Sequence, residues 1–237
     1  MQPFSPVLGW SLAALAGVTA VLFVLGVRDA GRVLGERPES RRRWTVWGAL
    51  IAAAYLGVSA ALALSGALAD LDARPPPVGL FLIGTGLATV VLAFSRVGDR
   101  LLHWPLAVLV GVQAFRVLVE LLLLAAARDG TVPFEMTFEG WNFDVVTGLT
   151  ALVLALWLAR GSPPRAVVLA WNVLGVALLV VVVAIASTSA FGVIETTPRV
   201  TVPAAWPGVW IPAWLVQLAL LGHLLVFRKL RQRAPGL

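Results

Sequence analysis

Seven apolar runs, separated by short polar segments, follow one another along the chain. They cover Val7–Val27, Thr45–Leu68, Val78–Phe94, Pro105–Ala127, Phe143–Ala159, Val167–Ser187 and Val209–Phe227. Each comes close to the ~20 residues that a helix needs to cross a hydrocarbon core. The third and fifth are the shortest. None alternates with period two, as a β-barrel strand would, so helices are the way to satisfy the backbone inside lipid. The pattern predicts an all-α integral membrane protein, a single domain of about seven transmembrane helices over residues 1–237.

Composition sharpens this reading. The chain is 59% hydrophobic and 13% charged, whereas soluble domains average about 45–50% apolar and about 25% charged. Cysteine is absent and only two histidines occur, which excludes disulfides, thiolate metal sites and a Cys nucleophile. The net charge of +6 would suggest nucleic acid in a soluble protein. Here the basic residues sit between apolar runs, so they report membrane orientation and no nucleic-acid partner is expected.

That orientation follows from which segments are basic. Arg28, Arg32, Arg37, Arg41, Arg42 and Arg43 form the first group, and Arg96 with Arg100 the second. Arg160 with Arg165, then Arg228, Lys229, Arg231 and Arg233, complete the set. The intervening segments hold only Arg74, Arg128 and Arg199. The N-terminus is therefore expected outside and the C-terminus in the cytoplasm of a bacterial inner-membrane protein. Met1–Pro6 lacks Lys and Arg, so the first run is expected to be a retained helix rather than a cleaved signal peptide. The Arg-rich segment Arg28–Trp44 reads as a topology determinant, with contact to anionic lipid headgroups as the alternative. Trp206, Trp210 and Trp214 step by four and suggest an interfacial belt. Ser59, Ala63 and Ala67 form a small-residue stripe suited to helix packing.

The candidate chemistry lies in Gln113–Asp144. At roughly 100° per residue, Gln113, Arg116 and Glu120 share one narrow face of the fourth helix. A charge at bilayer centre costs about 2.5–3.5 kcal/mol on insertion scales, so this face should point into the protein. Arg116 and Glu120 are spaced to pair along the helix, and Asn172 or Gln217 could join from neighbouring helices. Such a column is either a buried clasp holding the bundle in register or a binding site. Beyond it Glu135, Glu139, Asn142 and Asp144 collect in the next outer segment, interleaved with Phe134, Phe138, Trp141 and Phe143. The aromatics would let this loop fold back as a lid, and Asn142 or Asp144 is placed to cap the fifth helix.

The pattern Gln113-x-x-Arg116-x-x-x-Glu120, then Pro133, then Met136-Thr-Phe-Glu-Gly-x-Asn142-Phe-Asp144-x-x-Thr147-Gly, resembles a set of bacterial multi-pass membrane proteins. Ala170-Trp-Asn172 and the Trp- and Pro-containing approach to the last helix share in the resemblance, which runs from Gln113 to the C-terminus. It implies a polytopic fold of about seven helices and no particular reaction.

Known chemistries can be tested against the residues. A retinal protein needs a lysine in the last helix, and the only lysine, Lys229, falls beyond the last apolar run. A His-rich metal site, a phosphate-cradling glycine loop and paired Asp motifs are all missing from the sequence, so no metal is expected, and the sequence leaves any cofactor open. The leading expectation is an ion- or small-molecule-binding bundle, a transporter or sensor, whose outward pocket uses Gln113, Arg116, Glu120, Glu139, Asn142, Asp144 and Asn172. The alternatives are an accessory subunit of a larger membrane complex and a membrane enzyme using Glu120 or Asp144. Membrane lipids are the expected partners, together with other membrane subunits under the accessory reading.

Overall fold

Helices form wherever the apolar runs predict them, and the described residues contain no strand. The computed structural model describes residues 4–232. Met1–Pro3 and Arg233, which enter the sequence argument, lie outside them. Five helices are long and apolar enough to cross a membrane: Pro6–Val33 (α1), Pro38–Leu64 (α2), Leu106–Arg128 (α4), Arg165–Ala190 (α6) and Ile211–Gln232 (α7). Two shorter apolar helices, Pro77–Ala93 (α3) and Val145–Arg160 (α5), complete the set. A six-residue helix, Arg96–Leu101, joins α3 to α4 and is capped by Ser95, whose hydroxyl accepts from Val97 N.

Helix ends depart from the apolar boundaries. Helix α1 runs on through Arg28 and Arg32 to Val33, and α2 starts at Pro38, so Arg41, Arg42 and Arg43 are helical. The expected Arg-rich loop shrinks to the turn at Gly35. The reason is local: arginine is a good helix former, and Pro38 at the first turn of α2 is pre-set for a helix start. At the far end α7 continues past Phe227 to Gln232, and the Lys229 side chain, 9% exposed, donates to the carbonyls of Leu102 and Trp104. Lysine is thus part of the bundle rather than beyond it.

The loops sort into two ends. Arg100 pairs with Glu36, and Arg228 with Asp99 at 2.7 Å, at the end where most arginines lie. Arg199 pairs with Asp72, and Arg128 with Glu139, both at 2.9 Å, at the other.

Helix α7 is the hub, packing against α1, α3, α4 and α6, while α2 leans chiefly on α1. In the most apolar window of each, 44% of α7 is buried and 17% of α2. Helix α7 opens with a π-helical turn, Ile211–Leu215. Pro212 has no N–H to give the ladder, and side chains serve the carbonyls there. Gln217 Nε2 donates to Pro212 O at 3.0 Å and the Tyr55 hydroxyl to Ala213 O at 2.6 Å.

One packing expectation changes. The small stripe holds for Ser59 and Ala63, which are buried, but Ala67 lies past the end of α2 and is exposed. The three tryptophans are half-buried, and two of them also join helices. Trp210 donates to Leu56 O at 3.0 Å and Ser59 Oγ at 3.1 Å, and Trp214 to Thr19 Oγ1 at 2.9 Å. A buried indole N–H needs an acceptor, and the bundle supplies one.

Candidate functional site

The polar face of α4 points inward as its periodicity requires. Gln113, Arg116 and Glu120 are 1%, 2% and 1% exposed. Close approach by the neighbours depends on glycine. A Cβ on Gly222 of α7 would run into the Gln113 amide, and one on Gly175 of α6 would strike the His223 ring. With no side chain at either place, α6 and α7 come within hydrogen-bonding reach of the column.

Arg116 pairs with Asp144 rather than Glu120. Its Nε donates to Asp144 Oδ2 at 2.6 Å and its Nη2 to Oδ1, a fork-on-carboxylate arrangement. Nη1 lies 2.8 Å from His223 Nε2, and Nη2 also reaches Gly175 O at 3.4 Å. The expected Arg116–Glu120 ion pair does not form among the described residues. A same-helix i,i+4 pair is worth about 0.2–0.5 kcal/mol in isolated helices. Asp144, arriving from across the bundle, offers both oxygens to the planar fork.

Those bonds fix the imidazole. A guanidinium is only a donor, so His223 Nε2 must accept and its proton resides on Nδ1. Nδ1 lies 2.8 Å from Asn172 Oδ1 and so donates to it, while Asn172 Nδ2 returns a bond to His223 O at 3.1 Å. His223 is therefore neutral, and Asn172 holds its tautomer. Sequence reasoning passed over His223 as one of too few histidines for a metal. The available signal was a lone polar ring in an apolar run immediately after Gly222.

Glu120 is held by the loop that precedes α5. Asn142 Nδ2 lies 2.8 Å and 2.9 Å from its two oxygens and also donates to Met136 O at 3.0 Å. Asn142 Oδ1 accepts from Asp144 N at 3.1 Å. Asp144 occupies the residue before α5, yet its carboxylate makes no cap there because Arg116 takes it. The lid expectation inverts: Met136, Thr137, Asn142 and Asp144 are buried, while Phe134, Trp141 and Phe143 face outward. The loop sends Asn142 and Asp144 in, where the charges of α4 need partners, and Phe134, Trp141 and Phe143 out, while Phe138 is half-buried and Glu139 exposed.

Of the other expected site residues, Gln113 donates to Ala219 O at 3.1 Å, and its own carbonyl oxygen is buried with no partner among the described residues. Gln217 turns away to Thr89, whose hydroxyl donates to it at 2.8 Å. Glu139 is not in the cluster, since its pair with Arg128 lies at the exposed surface. Beside Arg116, Glu120 and Asp144 lies a cavity of about 40 Å³, otherwise walled by apolar side chains such as Met136 and Leu215. No group of three or more His, Asp or Glu side chains suited to a metal ion occurs among the described residues.

Fold and site together define an all-helical protein with membrane-length apolar helices around a buried charge cluster. Within that class the chain belongs to the family described as domain of unknown function DUF8737, matched over residues 75–231. The match takes in α3 to α7 and with them every member of the cluster, whereas α1 and α2 precede it. No curated protein and no solved structure matches the chain.

Proposed function

We propose that this is a seven-helix bundle of the bacterial inner membrane, N-terminus outside and C-terminus in the cytoplasm. In this reading it binds one monovalent cation, a proton included, beside Glu120 as the working site of a transporter or sensor. The observation that carries the reading is the setting of Glu120. Its carboxyl is 1% exposed, held by an uncharged amide, and has no ion-pair partner among the described residues. The cluster contains one guanidinium, two carboxyls and a neutral imidazole, so one positive charge would balance it. The adjoining cavity of about 40 Å³ exceeds the roughly 10–15 Å³ one water needs, which suits a small ion and is too small for an organic substrate. A membrane-enzyme reading draws no support from it. The outer-loop origin of Asn142 and Asp144 supports access from outside, and the basic end of the bundle supports the orientation.

Ligand binding to the folded state alone raises stability, which gives the test. Thermal unfolding of the purified protein is followed as sodium replaces choline at constant ionic strength, and separately as pH is lowered from 8 to 5. The wild type should be stabilised by one of these cations and Glu120→Gln by neither. A wild type indifferent to both, or a Glu120→Gln protein that responds equally, refutes the reading.

One observation favours the accessory-subunit alternative: Arg116 is already bonded by Asp144, His223 and Gly175 without any ligand. Under it, gentle detergent extraction recovers a defined partner, and replacing the whole cluster with apolar residues leaves that assembly intact.

A further inference from the structure

A second cavity, far larger than the one beside Glu120, separates α2 from α3 and α7. It has a volume of about 330 Å³. Trp47 and Tyr55 of α2 form one wall, Thr85 and Ala88 of α3 the other, and Trp214 of α7 lines the cleft as well. Helix α2 leans chiefly on α1 and is mostly unburied, so the gap is a consequence of how α2 is attached.

Apart from the indole N–H groups of Trp44 and Trp47, the polar side-chain atoms on these walls are already engaged with the protein. The Tyr55 hydroxyl donates to Ala213 O, Thr89 to Gln217, and Gln217 to Pro212 O. What remains to an occupant is apolar surface. The lining of α2 runs from Trp44 to Tyr55, which at ~1.5 Å per residue is about 16 Å. That is close to half of a ~30 Å hydrocarbon core, the depth of one leaflet.

The cleft ends at the arginine-rich end of the bundle. Trp44 lies at this end with the Arg100 guanidinium 4.4 Å from the centre of its ring. Arg43 and Arg96, next in sequence to the lining residues Trp44 and Val97, are exposed and have no ion-pair partner among the described residues. Two exposed cations, without an ion-pair partner among the described residues, thus stand next in the chain to the lining of an apolar slot one leaflet deep.

We infer that the cleft between α2, α3 and α7 is a binding site for one anionic phospholipid, its acyl chain in the slot and its phosphate at Arg43 and Arg96. The site is independent of the Glu120 cavity: α7 stands between them, with Ala213 and Trp214 on the cleft and Ile211 and Leu215 on the polar cavity. It is also built partly by α2, which lies outside the matched family region.

Native mass spectrometry of the full chain, released from bilayer discs of equal phosphatidylglycerol and phosphatidylcholine, tests this. The wild type should retain one phosphatidylglycerol, preferred over phosphatidylcholine by about thirtyfold, as two interfacial arginines imply. Ala88→Phe, at an exposed position on the cleft wall, should lower the retained lipid about tenfold. Gly48→Leu, on the α2 wall, does the same if Ala88→Phe misfolds. Arg43→Gln/Arg96→Gln should keep a lipid and lose the headgroup preference. A wild type with no stoichiometric lipid, or with phosphatidylcholine retained equally, overturns the inference. So does a folded cleft-filling variant with undiminished phosphatidylglycerol, or a double glutamine variant that still prefers it.

Discussion

Arg116 of α4 and Asp144, the residue before α5, meet as a two-bond pair with the Arg116 side chain 2% and the Asp144 side chain 7% exposed. The pair ties the middle of α4 to the loop that opens α5, and everything else in the cluster is arranged around it. Removing one partner of a buried pair typically costs about 3–5 kcal/mol because the other charge is stranded. Arg116→Ala and Asp144→Ala should each lower the unfolding temperature in detergent strongly. Arg116→Met/Asp144→Leu should recover most of that loss. Arg116→Lys should not, since an ammonium lacks the fork. If Arg116→Lys is as stable as the wild type, the two-bond pairing is not what stabilises this junction.

His223 should be observed as the Nδ1-protonated tautomer. With His103→Gln leaving a single histidine, side-chain nitrogen NMR should show an unprotonated Nε2. Asn172→Leu removes the acceptor for Nδ1–H and should broaden or shift that signal. A spectrum with both nitrogens protonated would contradict the Arg116 contact.

Gly175→Ala and Gly222→Ala should each destabilise the bundle by about 1–3 kcal/mol, the usual range for overpacking. The added methyl meets the His223 ring in one case and the Gln113 amide in the other. Gly57→Ala in α2, where an added Cβ meets nothing within 4 Å, is the control and should be neutral or slightly stabilising. Equal effects at all three positions would mean that close packing against His223 and Gln113 is not the reason for glycine at 175 and 222.

At the basic end, the hydrogen bond from Arg100 holds the Glu36 carboxyl below its ordinary value of 4.5, against the upward effect of burial. Ser40, Arg41 and the charge of Arg100 lower it further. Because the folded value is depressed, the unfolded chain binds the proton more readily. The stabilisation is therefore complete above about pH 4.5 and is lost as pH falls through the lower folded value. Arg100→Gln should flatten the acid limb of a stability-versus-pH curve, with Glu36→Gln giving the same flattening. An unchanged acid limb in both would remove Glu36 from the account.

The sequence by itself determined where apolar helices form, how basic and acidic residues divide between segments, and that Gln113, Arg116 and Glu120 face inward. All three follow from one-dimensional information, because lipid penalises polarity residue by residue and a helix turns at a fixed rate. Even within the loop before α5, the sequence located Asn142 and Asp144 while misjudging which of its groups turn in.

Only the tertiary structure decided the partners. Periodicity along α4 offers Glu120 to Arg116, but it cannot show that Asp144 approaches with both oxygens, or that His223 and Asn172 lie one helix further on. It equally cannot separate Glu139, which ends in a surface pair, from Asn142 three residues later, which ends against Glu120. Nor does any run of residues announce the gap left between α2 and α7. Which helix stands beside which is fixed by packing of whole surfaces, and the glycines at 175 and 222 acquire meaning only once their neighbours are in place. The inward column was legible, and its chemistry belongs to the helices that surround it.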